Sequence, residues 1–215
     1  MDTSTSRAGI ALYDGEVLAE SVWQAGRDHG RHLMPAIQEM MGRLGVQPSH
    51  LAAVAAARGP GSFTGLRVGL AVARGLAVGL GIPAYGVGSL TLLAAGLPPM
   101  DRPIRAVLAA GRGRYATALF PPGHSMDTDP AGMNVNLDSL VRLAEERCVL
   151  VGDLDAEARA RLAALGERVW VAPPALCVRR PAVLAELAWQ VTSQGQLPGP
   201  DDGEPIYLAR GDDAL

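Results

Sequence analysis

The chain has 215 residues, of which 48% are hydrophobic but only 4% aromatic, and its formal net charge is −3. This length suits one large domain or two small lobes with a real core, and the scarcity of aromatic side chains predicts a core of Ala, Val, Leu and Gly. All 19 basic residues are Arg and none forms a basic tail, which argues against a protein that grips nucleic acid alone through a concentrated positive face.

The first half of the chain alternates between strand and helix patterns. An Asp-Gly pair at 14–15 separates two apolar stretches at 8–13 and 16–23, which is a strong signal for a β-hairpin. The elements predicted after it are a helix through residues 33–44 ended by Gly45, a strand at 51–57, a helix at 64–80 ended by 81–83, a strand at 84–87 and a helix at 89–95.

A Pro-rich stretch at 97–103 is the best candidate for a boundary between lobes, so we predict two lobes, at 1–100 and 101–215. The elements predicted beyond it are strands at 104–110 and 115–120, a loop at 121–136, a helix at 137–147, a strand at 149–152, a helix at 155–165, a strand at 168–172 and a helix at 181–194. This order predicts an α/β protein of two related lobes, each a mixed sheet with flanking helices.

The compartment follows from what the sequence lacks and from its two cysteines. Residues 1–20 carry acidic side chains and no apolar core of a signal peptide, so we expect a cytoplasmic protein. The longest apolar run, at 66–83, contains Arg67 and Arg74 and predicts a buried helix rather than a membrane span. Cys148 opens a buried-strand pattern and is expected to be a small core residue, and a disulfide with Cys177 is not expected.

A glycine-rich loop, Arg58-Gly-Pro-Gly-Ser-Phe-Thr-Gly-Leu-Arg67, connects a predicted strand to a predicted helix. Backbone N–H groups in such a loop can point at an anion, which makes Gly61, Ser62, Thr64 and Gly65 candidate cofactor-binding residues. The alternative is a rigid turn that seats the helix, since glycine permits positive φ and Ser62 or Thr64 can cap the helix. No Lys follows the glycines and the chain contains none, so a P-loop nucleotide site is excluded.

The helix after this loop is apolar on nearly all sides and carries small residues at every fourth position. A helix that is apolar all round must be covered all round, so we predict that it and the preceding helix contribute to a protein–protein interface as well as to the core. The predicted interface residues are Leu33, Ile37, Met40, Met41, Leu66, Gly69, Leu70, Ala73 and Leu76. On this reading, Glu at Leu70 or Ala73 would abolish pairing and leave the monomer folded.

No catalytic residue and no metal ligand is predicted. His29 and His32 are three residues apart, with Arg31 where a carboxylate would help, and two His without a carboxylate make a poor metal site. Asp153 follows a strand and could face a cleft between the lobes, but a single carboxylate is not an active site. Asp2, Thr3 and Ser4 are expected to form a polar turn rather than a phosphate-binding hairpin.

The loop motif Gly59-Pro-Gly-Ser-Phe-Thr-Gly-Leu-Arg67 closely resembles the signature of the TsaB (YeaZ) family. Further matches to the family are Asp2-Thr-Ser-Thr5, Gly81-Ile-Pro83, Gly86-Val-Gly-Ser-Leu90 and Tyr207-Leu208. The family usually has His-Ser-Glu at the head of its first helix, where this chain has His29-Gly-Arg31.

The resemblance implies an actin/sugar-kinase/heat-shock-ATPase (ASKHA) fold and a non-catalytic role. Proteins of this family act as partners of the transferase TsaD and the ATPase TsaE, which make threonylcarbamoyladenosine beside the anticodon of ANN-decoding tRNAs. The resemblance further implies pairing through the first two helices, with TsaD or with a second copy when TsaD is absent. It implies contact with tRNA through the complex, no membrane association, and no cofactor of its own apart from ATP or ADP at an interface within the complex. An ATP-dependent small-molecule kinase of the same fold and a glycoprotease-like metallopeptidase remain as alternatives.

Overall fold

The computed structural model describes residues 1–26, 28–124, 129–144, 146–199 and 203–208. Its strands are β1 (Arg7–Tyr13), β2 (Val17–Gln24), β3 (Val54–Gly59), β4 (Ala84–Gly88), β5 (Ile104–Gly111), β6 (Arg114–Phe120), β7 (Met133–Asn136), β8 (Cys148–Gly152) and β9 (Val169–Val171). Its helices are α1 (His29–Leu44), α2 (Phe63–Leu80), α3 (Ser89–Ala95), α4 (Leu137–Leu143), α5 (Ala156–Ala163) and α6 (Pro181–Ser193).

The N-terminal strands form two pairs that the first two residues join. β1 and β2 are antiparallel, with Ala8 opposite Trp23, and β3 and β4 are parallel. Asp2 and Gly9 exchange both backbone hydrogen bonds at 2.8 Å, and the Met1 amine donates to the Ala55 carbonyl at 2.7 Å. Met1 and Asp2 therefore lie between β1 and β3 as a very short strand.

The C-terminal sheet has five strands in the order β7-β6-β5-β8-β9. The pairs within β7-β6-β5 are antiparallel, whereas β8 runs parallel to both β5 and β9. All five residues of β8 are buried, as an apolar strand covered on both faces should be. Cys148 and Cys177 are both free and buried, and burial raises the pKa of the Cys148 thiol, in agreement with its predicted role as a core residue.

Two helices connect the N-terminal strands to the rest of the chain. Leu90 and Leu93 of α3 belong to the core cluster that contains β5, β6 and β8. By contrast, α6 packs against the N-terminal strands, where Leu184 joins a cluster with Ala57 of β3 and Leu92 of α3. The chain therefore returns to the N-terminal strands after β9, although α6 lies beyond residue 100.

The α/β prediction is confirmed, and the helix ends carry the expected signals. Gly45 and Gly81 end α1 and α2 in the left-handed conformation, with φ of 66° and 68°. The sequence missed β7, which lies in the predicted loop at 121–136, of which 125–128 are outside the described residues. The predicted helix at 137–147 was too long, because α4 ends at Leu143.

Candidate functional site

The glycine-rich loop carries the chain from β3 into α2 and packs tightly against the N-terminal segment. A Cβ atom on Gly61 would lie 2.3 Å from the Ser4 carbonyl oxygen, and one on Gly65 would lie 2.0 Å from the Thr3 carbonyl oxygen. Thr3 Oγ1 donates to the Gly65 carbonyl at 2.7 Å. Glycine is therefore required at both positions because another backbone approaches closely.

The hydrogen bonds of this loop give it a structural role. The Ser62 N–H donates to the Ser4 carbonyl at 2.6 Å, and the Gly65 N–H donates to Ser62 Oγ at 3.3 Å. The Leu66 N–H donates to the Ser62 carbonyl at 2.9 Å. Two first-turn donors that an anion would need, the Ser62 and Gly65 N–H groups, are thus already satisfied within the chain, which supports the rigid turn rather than the anion site predicted at Gly61, Ser62, Thr64 and Gly65.

Replacing Gly65 with Ala is expected to destabilise the chain by at least about 2 kcal/mol, because the new methyl group would overlap the Thr3 backbone. The matched control is Gly75→Ala in the same helix, where a Cβ meets nothing within 4 Å and the substitution should stabilise the chain by up to about 1 kcal/mol. Thermal unfolding of both variants measures the difference. Equal stabilities would show that Thr3 does not hold its place against α2.

A buried ion cluster joins the N-terminal segment to the C-terminal sheet. Arg179 Nε lies 2.9 Å from Asp2 Oδ2, and its Nη1 lies 3.3 Å from Asp153 Oδ2. The Arg179 and Asp2 side chains are only 3% and 4% exposed, whereas that of Asp153 is 33% exposed. Arg179 Nη2 also donates to Thr5 Oγ1, and the Ser4 N–H donates to Asp2 Oδ1 at 2.8 Å.

This cluster decides what the predicted polar residues can do. Asp2 and Asp153 both contact the Arg179 guanidinium, whose single positive charge offsets one of the two carboxylates and occupies the space that a kinase-like site would need between them. The sequence did not single out Arg179, which is separated from Asp2 by 177 positions. Among the described residues, no group of three His, Cys, Asp or Glu side chains is placed to hold a metal ion.

The two histidines at the head of α1 do not share a site. His29 is 3% exposed, and its Nδ1 has no hydrogen-bond partner in the described part of the chain. His32 is exposed to solvent. Although they are three residues apart in α1, one imidazole is buried and the other faces solvent.

A second polar cluster, which the sequence did not predict, connects β3 and α3 through Asp129. Arg58 Nη2 lies 2.7 Å from Asp129 Oδ2, and Thr91 Oγ1 donates to Asp129 Oδ1 at 2.5 Å. A Cβ on Gly88 would lie 1.9 Å from Asp129 Oδ1, so a larger residue at the end of β4 would displace the Asp129 carboxylate. Arg58 and Asp129 are 71 positions apart, and no motif spacing indicates that they meet.

The predicted interface residues are placed mostly inside the chain's own core. Six of them are buried: Leu33, Met41, Leu66, Gly69, Leu70 and Ala73. The other three, Ile37, Met40 and Leu76, are half-buried. These six residues belong to the chain's own core and leave little surface for a partner, so their role at an interface stays a prediction.

The physical reason is the orientation of α2. Gly65 and Gly69 face the Thr3 segment, where a Cβ on Gly69 would lie 2.4 Å from Thr3 Oγ1. Leu70 and Ala73 pack with Val54 and Ala56 of β3. The proposed Glu at Leu70 or Ala73 would therefore bury a charge and unfold the monomer rather than test pairing.

The opposite side of α2 is exposed. We call it the α2 outer face, and its members are Arg67, Ala71, Arg74, Gly75, Val78 and Gly79. Val78 is 84% exposed, and a Cβ on Gly75 or Gly79 would meet nothing within 4 Å. The Arg67 guanidinium lies 3.8 Å from the centroid of the Phe63 ring, and Arg74 pairs with Glu204 at 2.9 Å. The face thus offers small and apolar side chains bordered by two Arg.

By length and composition alone, α2 is also the one helix of the described residues that is long and apolar enough to cross a membrane. Core helices of globular proteins share those properties, and the packing of α2 on β3 and on Thr3 accounts for its apolar inner side.

Comparison with known proteins identifies what the chain resembles. The family model "TsaD: tRNA N6-adenosine threonylcarbamoyltransferase" matches residues 21–129, about half of the chain. A Bacillus subtilis "tRNA threonylcarbamoyladenosine biosynthesis protein TsaB" is 36% identical over 121 residues, which are 56% of this chain and 53% of that protein. A Haemophilus influenzae protein of the same name is 40% identical over 95 residues, covering 44% of this chain and 40% of that protein. These matches span about half or less of the length of the curated relatives.

The fold is shared with a solved structure over nearly all of the chain. A crystal structure from Pseudomonas aeruginosa, described as an uncharacterized protein with similarity to peptidase YeaZ, superposes with a TM-score of 0.77 and 22% identity, covering 97% of each chain. The ASKHA-like α/β architecture expected from the motif is therefore confirmed.

Proposed function

Since this chain belongs to the TsaB (YeaZ) family of TsaD-related proteins, we propose that it is a non-catalytic scaffold and activator subunit in tRNA threonylcarbamoyladenosine biosynthesis. In this role it pairs with TsaD, enables TsaE to join, and helps to order the site from which TsaD transfers threonylcarbamoyl to the adenosine beside the anticodon of ANN-decoding tRNAs. It acts in the cytoplasm and reaches tRNA through the complex.

The observation that carries the proposal is the α2 outer face. Val78 stands 84% exposed beside Gly75 and Gly79, and small residues on an exposed helix let a second helix approach closely. Ile37 and Met40 of α1 are half-buried and retain some exposed apolar surface, and Met suits surfaces that adapt to a partner. An interface of standard size, roughly 1,600 Å² in total, is enough for a specific complex.

The non-catalytic part of the proposal is supported by the ion cluster. A kinase of this fold needs a carboxylate that is free to act as a base or to hold Mg–ATP, whereas Asp2 and Asp153 both contact Arg179. We therefore propose that any ATP or ADP in the complex is bound between subunits and not by this chain alone.

The test is reconstitution of the full-length chain with TsaD and TsaE from the same organism. Sedimentation velocity should show a complex of this chain with TsaD, and nucleoside analysis of tRNA should show threonylcarbamoyladenosine only when this chain is present. When TsaD is omitted, the chain should sediment as a dimer through the α2 outer face. Unaltered sedimentation together with unchanged tRNA modification would refute the scaffold role.

Calorimetry separates this role from the alternatives. The isolated chain should show no saturable binding of Mg–ATP, which a kinase requires, and elemental analysis should find no stoichiometric zinc or iron, which a metallopeptidase requires. A positive result in either measurement would replace the scaffold role with an enzymatic one.

A further inference from the structure

A cavity with a volume of about 430 Å³ lies beside β4. Its lining comes from β4, from the C-terminal half of α6, from residues 196–199 and from the polar cluster around Asp129. None of the described residues that line it belongs to α1 or α2, so the cavity is separate from the α2 outer face. Its volume lies within the roughly 300–1,000 Å³ that is usual for ligand-binding pockets.

The edge of β4 offers backbone groups that no strand in the described part of the chain uses. β3 is the strand neighbour of β4, and the Val54 N–H donates to the Pro83 carbonyl at 3.0 Å. Successive residues of a strand direct their N–H and C=O groups to opposite sides, so Tyr85 and Val87 face β3 as Pro83 does. Gly86 therefore points its N–H and its carbonyl away from β3, toward the cavity that it lines.

One wall of the cavity is apolar and belongs to α6. Val87 packs with Leu184 of this helix, so the face of β4 that carries Tyr85 and Val87 is turned toward α6. Farther along the same helix, Leu187 and Val191 line the cavity. This wall suits small apolar side chains of a ligand.

The opposite wall is polar, and its charges are paired. Gly86 and Gly88 share the other face of β4, and a Cβ on Gly88 would lie 1.9 Å from Asp129 Oδ1. Arg58 Nη2 lies 2.7 Å from Asp129 Oδ2, and the Thr91 hydroxyl donates to Asp129 Oδ1. Arg58 and Asp129 are the only charged side chains among the described residues of the lining. Because they neutralise each other, the cavity favours an uncharged ligand.

The rim of the cavity adds the side-chain amides of Gln190, Gln194 and Gln196. A side-chain amide donates and accepts hydrogen bonds without carrying a charge, and the backbone of Gly86 does the same. The cavity thus presents groups that the peptide bonds of an extended chain can satisfy.

We propose that this cavity binds an uncharged, extended peptide of about three residues, which adds to the edge of β4 as a short antiparallel strand. The central residue of the peptide exchanges both backbone hydrogen bonds with Gly86. In this mode of recognition, main-chain hydrogen bonds provide affinity and the pockets for alternate side chains provide specificity. The length follows from the part of β4 that lines the cavity, Tyr85 to Gly88, at about 3.3 Å per residue.

The alternation of side chains sets the preferred sequence of the peptide. Residues directly opposite each other in an antiparallel pair direct their side chains to the same face. The residue opposite Gly86 therefore points toward Arg58 and Asp129, where a small hydroxyl side chain can donate and accept. Its two neighbours in the peptide point toward Leu187 and Val191, where valine fits.

The probe is acetyl-Val-Thr-Val-amide, titrated into the full chain and followed through the backbone amide resonances of β4. We expect saturable binding with a Kd of about 1 mM or lower and a shift of the Gly86 resonance. The same probe methylated on the threonine nitrogen cannot donate to the Gly86 carbonyl and should bind at least about 10-fold more weakly. Acetyl-Val-Glu-Val-amide and acetyl-Val-Lys-Val-amide should also bind at least about 10-fold more weakly, because each brings an unpaired charge into the cavity.

Two variants of the chain locate the site. Gly86→Pro removes the N–H that faces the cavity and keeps the β3–β4 hydrogen bonds, since proline is tolerated on an edge strand where its nitrogen faces outward. Val191→Lys obstructs the α6 wall and leaves β4 unchanged, so the test does not depend on how β4 accepts proline. Each should weaken binding of the probe by at least about 10-fold. Ser193→Lys is the matched control, at an exposed position of α6 that does not line the cavity, and it should leave the Kd unchanged.

Melting temperatures establish that the variants are folded before their affinities are compared. The proposal is overturned if acetyl-Val-Thr-Val-amide does not bind at about 10 mM, or if methylation of its threonine nitrogen leaves the Kd unchanged. It is also overturned if the folded Val191→Lys chain binds the probe as tightly as the Ser193→Lys chain does. Equal affinity for the charged probes would show that the paired Arg58 and Asp129 do not select an uncharged peptide, which overturns the assignment of the ligand.

Discussion

Replacing Gly75 and Gly79 together with Arg is expected to weaken pairing with TsaD by at least about 30-fold, the equivalent of roughly 2 kcal/mol at an interface hot spot. Both positions lie on the α2 outer face, where a side chain enters open space. Two long charged side chains would hold an approaching helix away from its packing distance of about 8–10 Å. Sedimentation or calorimetric titration with TsaD measures the loss.

The same substitutions should stabilise the isolated chain. Glycine inside an exposed helix costs about 0.5–1 kcal/mol relative to residues with good helix propensity, and neither site is crowded. Pairing and stability are therefore expected to change in opposite directions, which excludes unfolding as the cause of lost pairing. Loss of threonylcarbamoyladenosine formation in the reconstituted system should follow the loss of pairing.

Two controls limit the interpretation. Ala160→Arg places the same side chain at an exposed helical position in α5, remote from α2, and should leave pairing unchanged. Gly75→Ala removes the glycine with little added bulk and should reduce pairing less than Arg does. Wild-type affinity in the double Arg variant would show that TsaD does not approach this face.

Local signals in the sequence predicted most elements of the fold. The Asp14-Gly15 turn located the β1–β2 hairpin, and Gly45 and Gly81 ended α1 and α2 where expected. These signals work because each depends on the backbone conformation of a few neighbouring residues. Strand β7 was missed because its apolar–polar alternation, Met-Asn-Val-Asn, lasts only four residues after a Pro- and Gly-rich stretch, and pairing with β6 holds it in place.

The orientation of α2 could not be read from its sequence. Glycine or alanine recurs every fourth position both at 65, 69 and 73 and at 75 and 79, so the pattern predicts two close approaches without identifying the partner of each. The structure shows that the first set meets Thr3 and β3, and that the second faces solvent. Long-range packing decides this choice, and nothing in a helical period encodes it.

The two polar clusters could not be predicted from the sequence, because each depends on contacts between residues that are far apart along the chain. Asp2 was noted as a member of a family motif, but its partner Arg179 is 177 positions away and carries no motif of its own. The motif therefore identified Asp2 but not its contact with Arg179, which determines the chemistry of the carboxylate. A buried pair of this kind has consequences for stability that can be measured directly.

Replacing Arg179 with Met is expected to destabilise the chain by about 3–5 kcal/mol, because it leaves the Asp2 carboxylate buried without its partner. The Asp2 side chain is only 4% exposed and lies 2.9 Å from Arg179 Nε. Since domains are stable by roughly 5–15 kcal/mol, this is a large share of the total. The melting temperature should fall by about 6–20 °C, and urea titration provides the free energy of unfolding.

The neighbouring Arg180 supplies a matched control. It also forms an ion pair, with Glu20 Oε2 at 2.6 Å, but its side chain is 56% exposed. The Glu20 side chain is 18% exposed, but water reaches Arg180 and screens the pair, and such pairs contribute up to about 1 kcal/mol, so Arg180→Met should cost about that much. If Arg179→Met lowers the free energy of unfolding by as little as Arg180→Met does, the buried pair does not hold the N-terminal segment in place.

A second substitution distinguishes loss of the pair from loss of packing. Asp2→Asn removes the charge while its Oδ1 can still accept from the Ser4 N–H. Combined with Arg179→Met, it should recover a substantial part of the lost stability, because replacing both partners of a buried pair costs far less than removing one. Asp153 is 33% exposed and lies farther from Arg179, at 3.3 Å, so Asp153→Asn should recover little. Equal recovery by both Asn substitutions would mean that general charge balance, rather than the buried Asp2–Arg179 contact, sets the stability of this junction.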